Sequence, residues 1–199
     1  MATDFYSAVK SRRSIYALNK DITTTDERIL EAVLFAVKHT PSAFNSQSAR
    51  VVVLLKQHHQ QLWDITERTL QKLVPEESFA ATQEKMNAFR SGYGTILFFE
   101  DWNVITGLQK QFALYKENFP VWAQQSNGML QYVIWTALEQ EGLGASLQHY
   151  NPLIDEEVKQ TWSIPNSWKL IAQMPFGNPS APAGDKEFQP LEQRVMVYR

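Results

Sequence analysis

Three short runs in the chain are apolar at most positions, while the stretches between them are apolar only at every third or fourth. The runs are residues 51–55 (within 50–56), 95–99 and 168–174. Their length and their β-branched or aromatic content predict buried strands. The longest helical period starts near Val121. Trp122, Met129, Leu130, Val133, Ile134, Ala137 and Leu138 share i, i+3, i+4, i+7 spacing, and Trp135 widens the face. This predicts a central helix touched from several sides. It ends at Glu141-Gly142-Leu143-Gly144, where glycine can take a left-handed cap.

The same periodicity predicts helices over residues 4–10, 58–73, 75–89, 102–117 and 155–162, and one opened by Thr24 or Thr25 that stops at Thr40-Pro41. Ile29, Val33, Leu34 and Val37 form the inner face of that last helix; Leu62, Ile65, Thr66, Thr69 and Leu73 form that of the helix over 58–73. The helix over 155–162 is capped by Asp155 or by Asn151-Pro152. Residues 15–18 read as a short extended piece, and 175–186 as loop by their proline and glycine content. Residues 192–199 alternate enough to predict a terminal strand, one that can pair with another subunit's sheet. No repeat or linker divides the chain, so residues 1–199 are read as one domain.

Composition narrows the function more than the fold. The chain is 44% hydrophobic and 20% charged, which supports a core and excludes a disordered chain. A net charge of −2 argues against a general nucleic-acid binder. The absence of cysteine excludes disulfides, thiolate metal sites and a cysteine nucleophile. Redox chemistry would therefore need a bound cofactor. The N-terminal residues lack a charged-then-apolar signal pattern, and no run has the length of a membrane span, so the expected location is cytoplasmic, with no membrane partner. Neither a dinucleotide fingerprint nor a P-loop, HExxH or GxSxG motif is present. His39, His58, His59 and His149 have no ligand spacing, so no metal site is expected. Glu139 and Glu141 diverge on their helix, which leaves paired-carboxylate hydrolysis without an anchor.

Three polar stretches remain. Ser11-Arg12-Arg13-Ser14 is either a bidentate anion site or a solvated pair. Pro41-Ser42-Ala43-Phe44-Asn45-Ser46-Gln47-Ser48 is either a ligand-binding loop or a structural turn. Ala145 to Pro152 either receives a planar ligand or belongs to a helix hairpin in which Gly142-Leu143-Gly144 only caps. Lys186 can reach an anion. The aromatics Trp102, Phe112, Tyr115, Phe119 and Trp122 are core, lid or dimer surface.

Taken together and in order, these pieces resemble the nitroreductase superfamily of FMN enzymes. The stretches RRSIYAL, PSAFNSQSAR, LQHYN and PAGDK are similar to its small branch of fatty-acid-repression-type and bacterial stress-induced nitroreductases, and the likeness covers nearly the whole chain. The resemblance implies an α+β sandwich with a mostly antiparallel sheet flanked by helices, and a C-terminal arm exchanged in a homodimer. It implies FMN at the dimer interface, touched by both chains. Arg12 and Lys186 would hold the phosphate, and Arg13 and Ser14 would contact the ribityl chain or pyrimidine edge. Ser42, Asn45 and Gln47 would come from the other subunit. Leu147, Gln148 and His149 would line the flavin ring, with a backbone N–H near N5.

The implied activity is ping-pong reduction of nitroaromatics or quinones by NADH or NADPH. The alternative is a flavin-binding stress or regulatory protein with incidental turnover. His149 is a tentative proton donor, unless its backbone alone matters. The chain is shorter than the larger nitroreductases, so the helical excursion over the pocket is reduced. Asn87 and Arg90 are candidates for the ring-edge positions.

Overall fold

The computed structural model describes residues 4–199; residues 1–3, part of the N-terminal stretch considered above, lie outside the described residues. Its centre is β3, Gly94–Asp101, hydrogen-bonded to β2 (Ala49–Leu55) on one side and β5 (Trp168–Pro179) on the other, both antiparallel. β1 (Leu18–Asn19) and β4 (Gly144–Ala145) also pair antiparallel with β5, completing a five-stranded sheet.

Side chains alternate across a strand, so β3 supplies two cores at once. Ile96 and Phe98 face α2 (Asp26–His39) and α6 (Asn118–Gln140). Leu97 and Phe99 face α3 (Gln57–Gln71), α4 (Phe79–Arg90) and α7 (Asp155–Thr161). Helices on both faces account for the continuous apolar run. A smaller cluster joins α5 (Trp102–Gln111) to the start of α6 through Ile105, Phe119 and Ala123.

Local signals hold at several helix ends. Asp4 accepts from the Tyr6 and Ser7 N–H groups at the start of α1 (Phe5–Ser11), and Thr25 accepts from Arg28 N–H at the start of α2. Gly142 takes φ +77° just after α6. Other expectations are corrected. α6 begins about a turn before Val121, and the 102–117 helix stops at Gln111, followed by the 3-10 turn Ala113–Tyr115. Leu73 lies beyond α3 and is exposed. The residue preceding α7 is Ile154, and neither Asp155 nor Asn151 supplies a side-chain cap.

The sheet departs further from the sequence reading. β2 is an edge strand, and most of its side chains are only half-buried. β5 runs on through Pro175, Phe176 and Gly177, which had read as loop. The Pro175 carbonyl accepts from Ser146 N–H at 3.2 Å, and a Cβ on Gly177 would come within 2.5 Å of Asn19 O. Gly177 fits because β1 approaches too closely for a side chain there. The terminal strand is not formed within the chain. Residues 192–199 carry only the end of the 3-10 turn Leu191–Gln193, and Val195, Met196, Val197 and Tyr198 are exposed. Backbone pairing needs a free strand edge, and this segment meets none in its own sheet. Among the described residues no helix is long and apolar enough to cross a membrane.

The inner face of α3 also carries two residues that the periodicity passed over, His59 and Trp63, both fully buried. Trp63 Nε1 donates to Thr95 Oγ1 at 3.0 Å. His59 Nδ1 lies 2.8 Å from the same oxygen, and its Nε2 lies 3.3 Å from the Arg90 carbonyl oxygen. A carbonyl only accepts, so Nε2 carries the proton and Nδ1 accepts from the Thr95 hydroxyl. Burial pushes the His59 pKa down from 6.5 to about 4.

The unfolded chain therefore takes up this proton near pH 6.5 while the native protein resists it to about pH 4. Stability present above that window is lost as pH falls through it. Between pH 7 and 4.5 the wild type should lose about 2 kcal/mol more than His59→Gln. Urea unfolding at both pH values measures this, and equal losses would remove His59 as the linked group.

Candidate functional site

The site begins where α1 ends. Arg12 is the helix C-cap, and two residues later Ser14 bridges to Ala145 in parallel register. Ile15 N–H donates to Ala145 O at 2.9 Å. A Cβ on Gly144 would lie 2.9 Å from Ile15 Cβ, so the turn fits only against glycine. Arg13 Nη2 donates to Gly184 O at 2.7 Å, which ties the loop after β5 to the same place. The result is a cavity of about 450 Å³ lined by Arg12, Arg13, Ser14 and Lys186, with Tyr16 and Asp185 beside them.

Three cations thus face one carboxylate. The Arg12 guanidinium lies over the Trp135 ring, 4.3 Å from its centroid, and its Nε is buried without an acceptor. A guanidinium without a carboxylate partner, beside a lysine, is a donor set suited to a phosphate dianion.

The segment after β4 runs outward from this cleft. Gln148 exchanges backbone hydrogen bonds with Gln173 at 2.7 and 2.9 Å, and its side-chain amide donates to Ser146 Oγ at 3.1 Å. The amide is therefore occupied within the fold. Leu147 is half-buried against the α2–α6 core. His149 is exposed, and it lines a second cavity of about 410 Å³ with Trp102, Gln124, Asn151, Asp155 and Lys169. Burial raises the Asp155 carboxyl above its ordinary range.

Ser42, Asn45 and Gln47 sit on a strained loop. Phe44, Asn45 and Gln47 have φ of 56°, 49° and 47°, a left-handed region that costs non-glycine residues energy. Local bonds hold it: Gln47 N–H donates to Ser42 Oγ at 2.9 Å, and Arg50 Nη1 donates to Gln47 O at 2.6 Å. Arg50 also pairs with Asp101 at 3.0 Å. Beneath it, Glu100 is fully buried and accepts from Asn127 Nδ2 at 2.8 Å, and burial raises its carboxyl above the usual range. Phe44 packs among Phe112, Tyr115, Phe119 and Trp122, which accounts for much of the aromatic excess.

Arg12, Arg13, Ser14 and Lys186 therefore meet in one cleft. Ser42 and Gln47 line a different, largely apolar cavity of about 480 Å³ between α2 and β2, apart from it. Asn87 and Arg90, the ring-edge candidates, lie on α4 and bond each other. Arg90 also pairs with Asp64 and Glu67, tying α4 to α3. Sequence reasoning missed the partnership of Trp135 and Tyr132 with Arg12. The available signal was two aromatics three apart on one helix. Among the described residues no group of three or more His, Asp or Glu is placed to hold a metal ion.

Residues 9–178 match the Nitroreductase family. Two Saccharomyces cerevisiae proteins are similar over most of their length. HBN1 is 36% identical over 186 residues, 92% of each chain. The nitroreductase FRM2 is 30% identical over 197 residues, 98% of this chain and 97% of that one. Among solved structures, nitroreductase CinD from Lactococcus lactis superposes with TM-scores of 0.91 in complex with chloramphenicol and 0.90 with 4-nitrophenol. It is 43–44% identical and covers 98% of this chain and all of its own. A paired-arginine turn locked to the exit of the central helix, a sheet buried on both faces, and relatives matched almost end to end converge on one assignment: this chain belongs to the nitroreductase family of oxidoreductases.

Proposed function

We propose that this protein is an FMN-dependent NAD(P)H oxidoreductase that reduces nitroaromatics or quinones as a homodimer. The observation that carries the reading is the cleft in which Arg12, Arg13 and Lys186 gather, with the Arg12 guanidinium stacked on Trp135 and paired with no described carboxylate. FMN, when bound, would supply the two-electron relay between a nicotinamide donor and the acceptor. The CinD complexes with chloramphenicol and 4-nitrophenol support nitroaromatic acceptors.

Each side chain then has a task. Arg12 and Lys186 hold the phosphate. Arg13 fixes the Gly184 loop so that Lys186 stays in reach, and with Ser14 it faces the ribityl chain or the pyrimidine edge. Leu147 and the backbone of Gln148 and His149 form one wall for the ring. Ser42, Asn45 and Gln47 do not reach this cleft within their own chain, which supports their serving the site of a second copy. The exposed apolar arm over residues 188–199 and the half-buried edge of β2 support the same arrangement, with each arm laid on the other subunit.

Arg12→Ala removes a charge-assisted contact worth about 1.5–3 kcal/mol and should weaken FMN retention at least about tenfold. An unchanged dissociation constant would reject the phosphate assignment. Deleting the residues after Glu192 should give monomers or aggregates that lose FMN, as read by light scattering and flavin absorbance; a monomeric, flavin-loaded product would reject the interface reading.

In steady state, NAD(P)H against a nitroaromatic or quinone should give parallel double-reciprocal lines, because one pocket serves both in turn. Intersecting lines would mean simultaneous binding. In the same assay, His149→Ala separates two roles. Loss of a proton donor lowers turnover by about 10²-fold or more, whereas a role for the backbone alone leaves turnover and FMN binding nearly intact.

A further inference from the structure

The half-buried Arg50 and Arg90 are neutralised, and so are the exposed Arg28 and Arg68. Each pairs with a carboxylate. Arg12 does not. None of its guanidinium nitrogens hydrogen-bonds another described residue, although Asp185 lines the same cleft. Its charge instead rests in an aromatic corner, 4.3 Å from the Trp135 ring centroid and 5.7 Å from that of Tyr132. Those two residues lie three apart on α6 and so share a helix face. The stack leaves two buried donors, Arg12 Nε and Trp135 Nε1, without acceptors. Buried unsatisfied donors are costly, so stability alone does not favour this arrangement. A bound anion does. The rings exclude water from one side of the guanidinium, lower the local dielectric and fix its plane before the ligand arrives.

We infer that Trp135 and Tyr132 are positioning residues that hold Arg12 open toward a phosphate monoester, and so set the protein's preference for phosphorylated over unphosphorylated flavin. This rests on the FMN reading and adds to it the residues that decide the phosphate preference. Trp135 is half-buried on α6 and Tyr132 is 38% exposed, so the pair can be altered with limited risk to the fold.

The test is the dissociation constant of the full chain for FMN and, separately, for riboflavin, by equilibrium dialysis. The wild type should favour FMN. Trp135→Met fills much of the same space without a π-face; it should weaken FMN about tenfold and leave riboflavin within about twofold. Trp135→Phe keeps a ring and should hold FMN within about threefold of wild type. Tyr132→Leu should weaken FMN alone by about threefold, and it decides the matter by itself if Trp135→Met does not fold.

Equal loss of both ligands in Trp135→Met overturns the inference, as does a loss in Trp135→Phe as large as in Trp135→Met. An FMN constant that moves in neither Trp135→Met nor Tyr132→Leu overturns it too, and leaves the FMN reading standing. A wild type that does not favour FMN over riboflavin overturns both.

Discussion

The hydrogen bond from Ile15 N–H to Ala145 O, made possible by the missing side chain of Gly144, joins the two ends of the site. It fastens the turn that follows the first helix to the turn that follows the central one. Through β4 and β5 that junction is tied to β3, the strand on which both cores are built. A bulkier residue at Gly144 would push the arginine turn off the sheet and move Arg12 and Ser14 together. The cationic cleft is thus a consequence of backbone packing, and its side chains inherit their geometry from that packing.

Polar groups buried elsewhere follow a different rule. Glu100, Asn127 and Gln131 form a hydrogen-bonded chain between β3 and α6, and His59, Thr95 and Trp63 form another between α3 and β3. In both, most donors and acceptors find partners, as burial demands. Arg12 and Trp135 break the rule beside the cleft, and so does one oxygen of Glu100 beneath the Ser42–Gln47 loop. Some of the unsatisfied atoms and three of the left-handed residues therefore lie at or beside the pieces that the family likeness singles out, where a ligand or a second chain can compensate them.

Two parts of the described surface are left open, the outer edge of β2 and the C-terminal arm. β2 offers a half-buried edge, the neighbouring cavity is lined mainly by α2 and β2 side chains, and residues 188–199 present Phe188, Leu191 and Val195 to solvent. Exposed apolar area on this scale is costly in a lone chain and is relieved by association.

Period and capping chemistry, read from the sequence alone, determined the local structure: the central strand, the long helix ended by Gly142, and a threonine cap at the start of α2. These are legible because they depend on neighbours a few residues away. The paired arginines and Lys186 could be picked out as anion ligands from their chemistry and from the family likeness. Tertiary structure alone decided that β5 continues through Pro175 and Gly177, and that β2 lies at the edge. It also decided that Arg90 pairs with Glu67 and Asp64, and that Trp135 carries Arg12. Hydrophobic period reports which face is buried but not what lies against it. Those contacts join residues far apart in the chain, and they exist only once the sheet has set their distances.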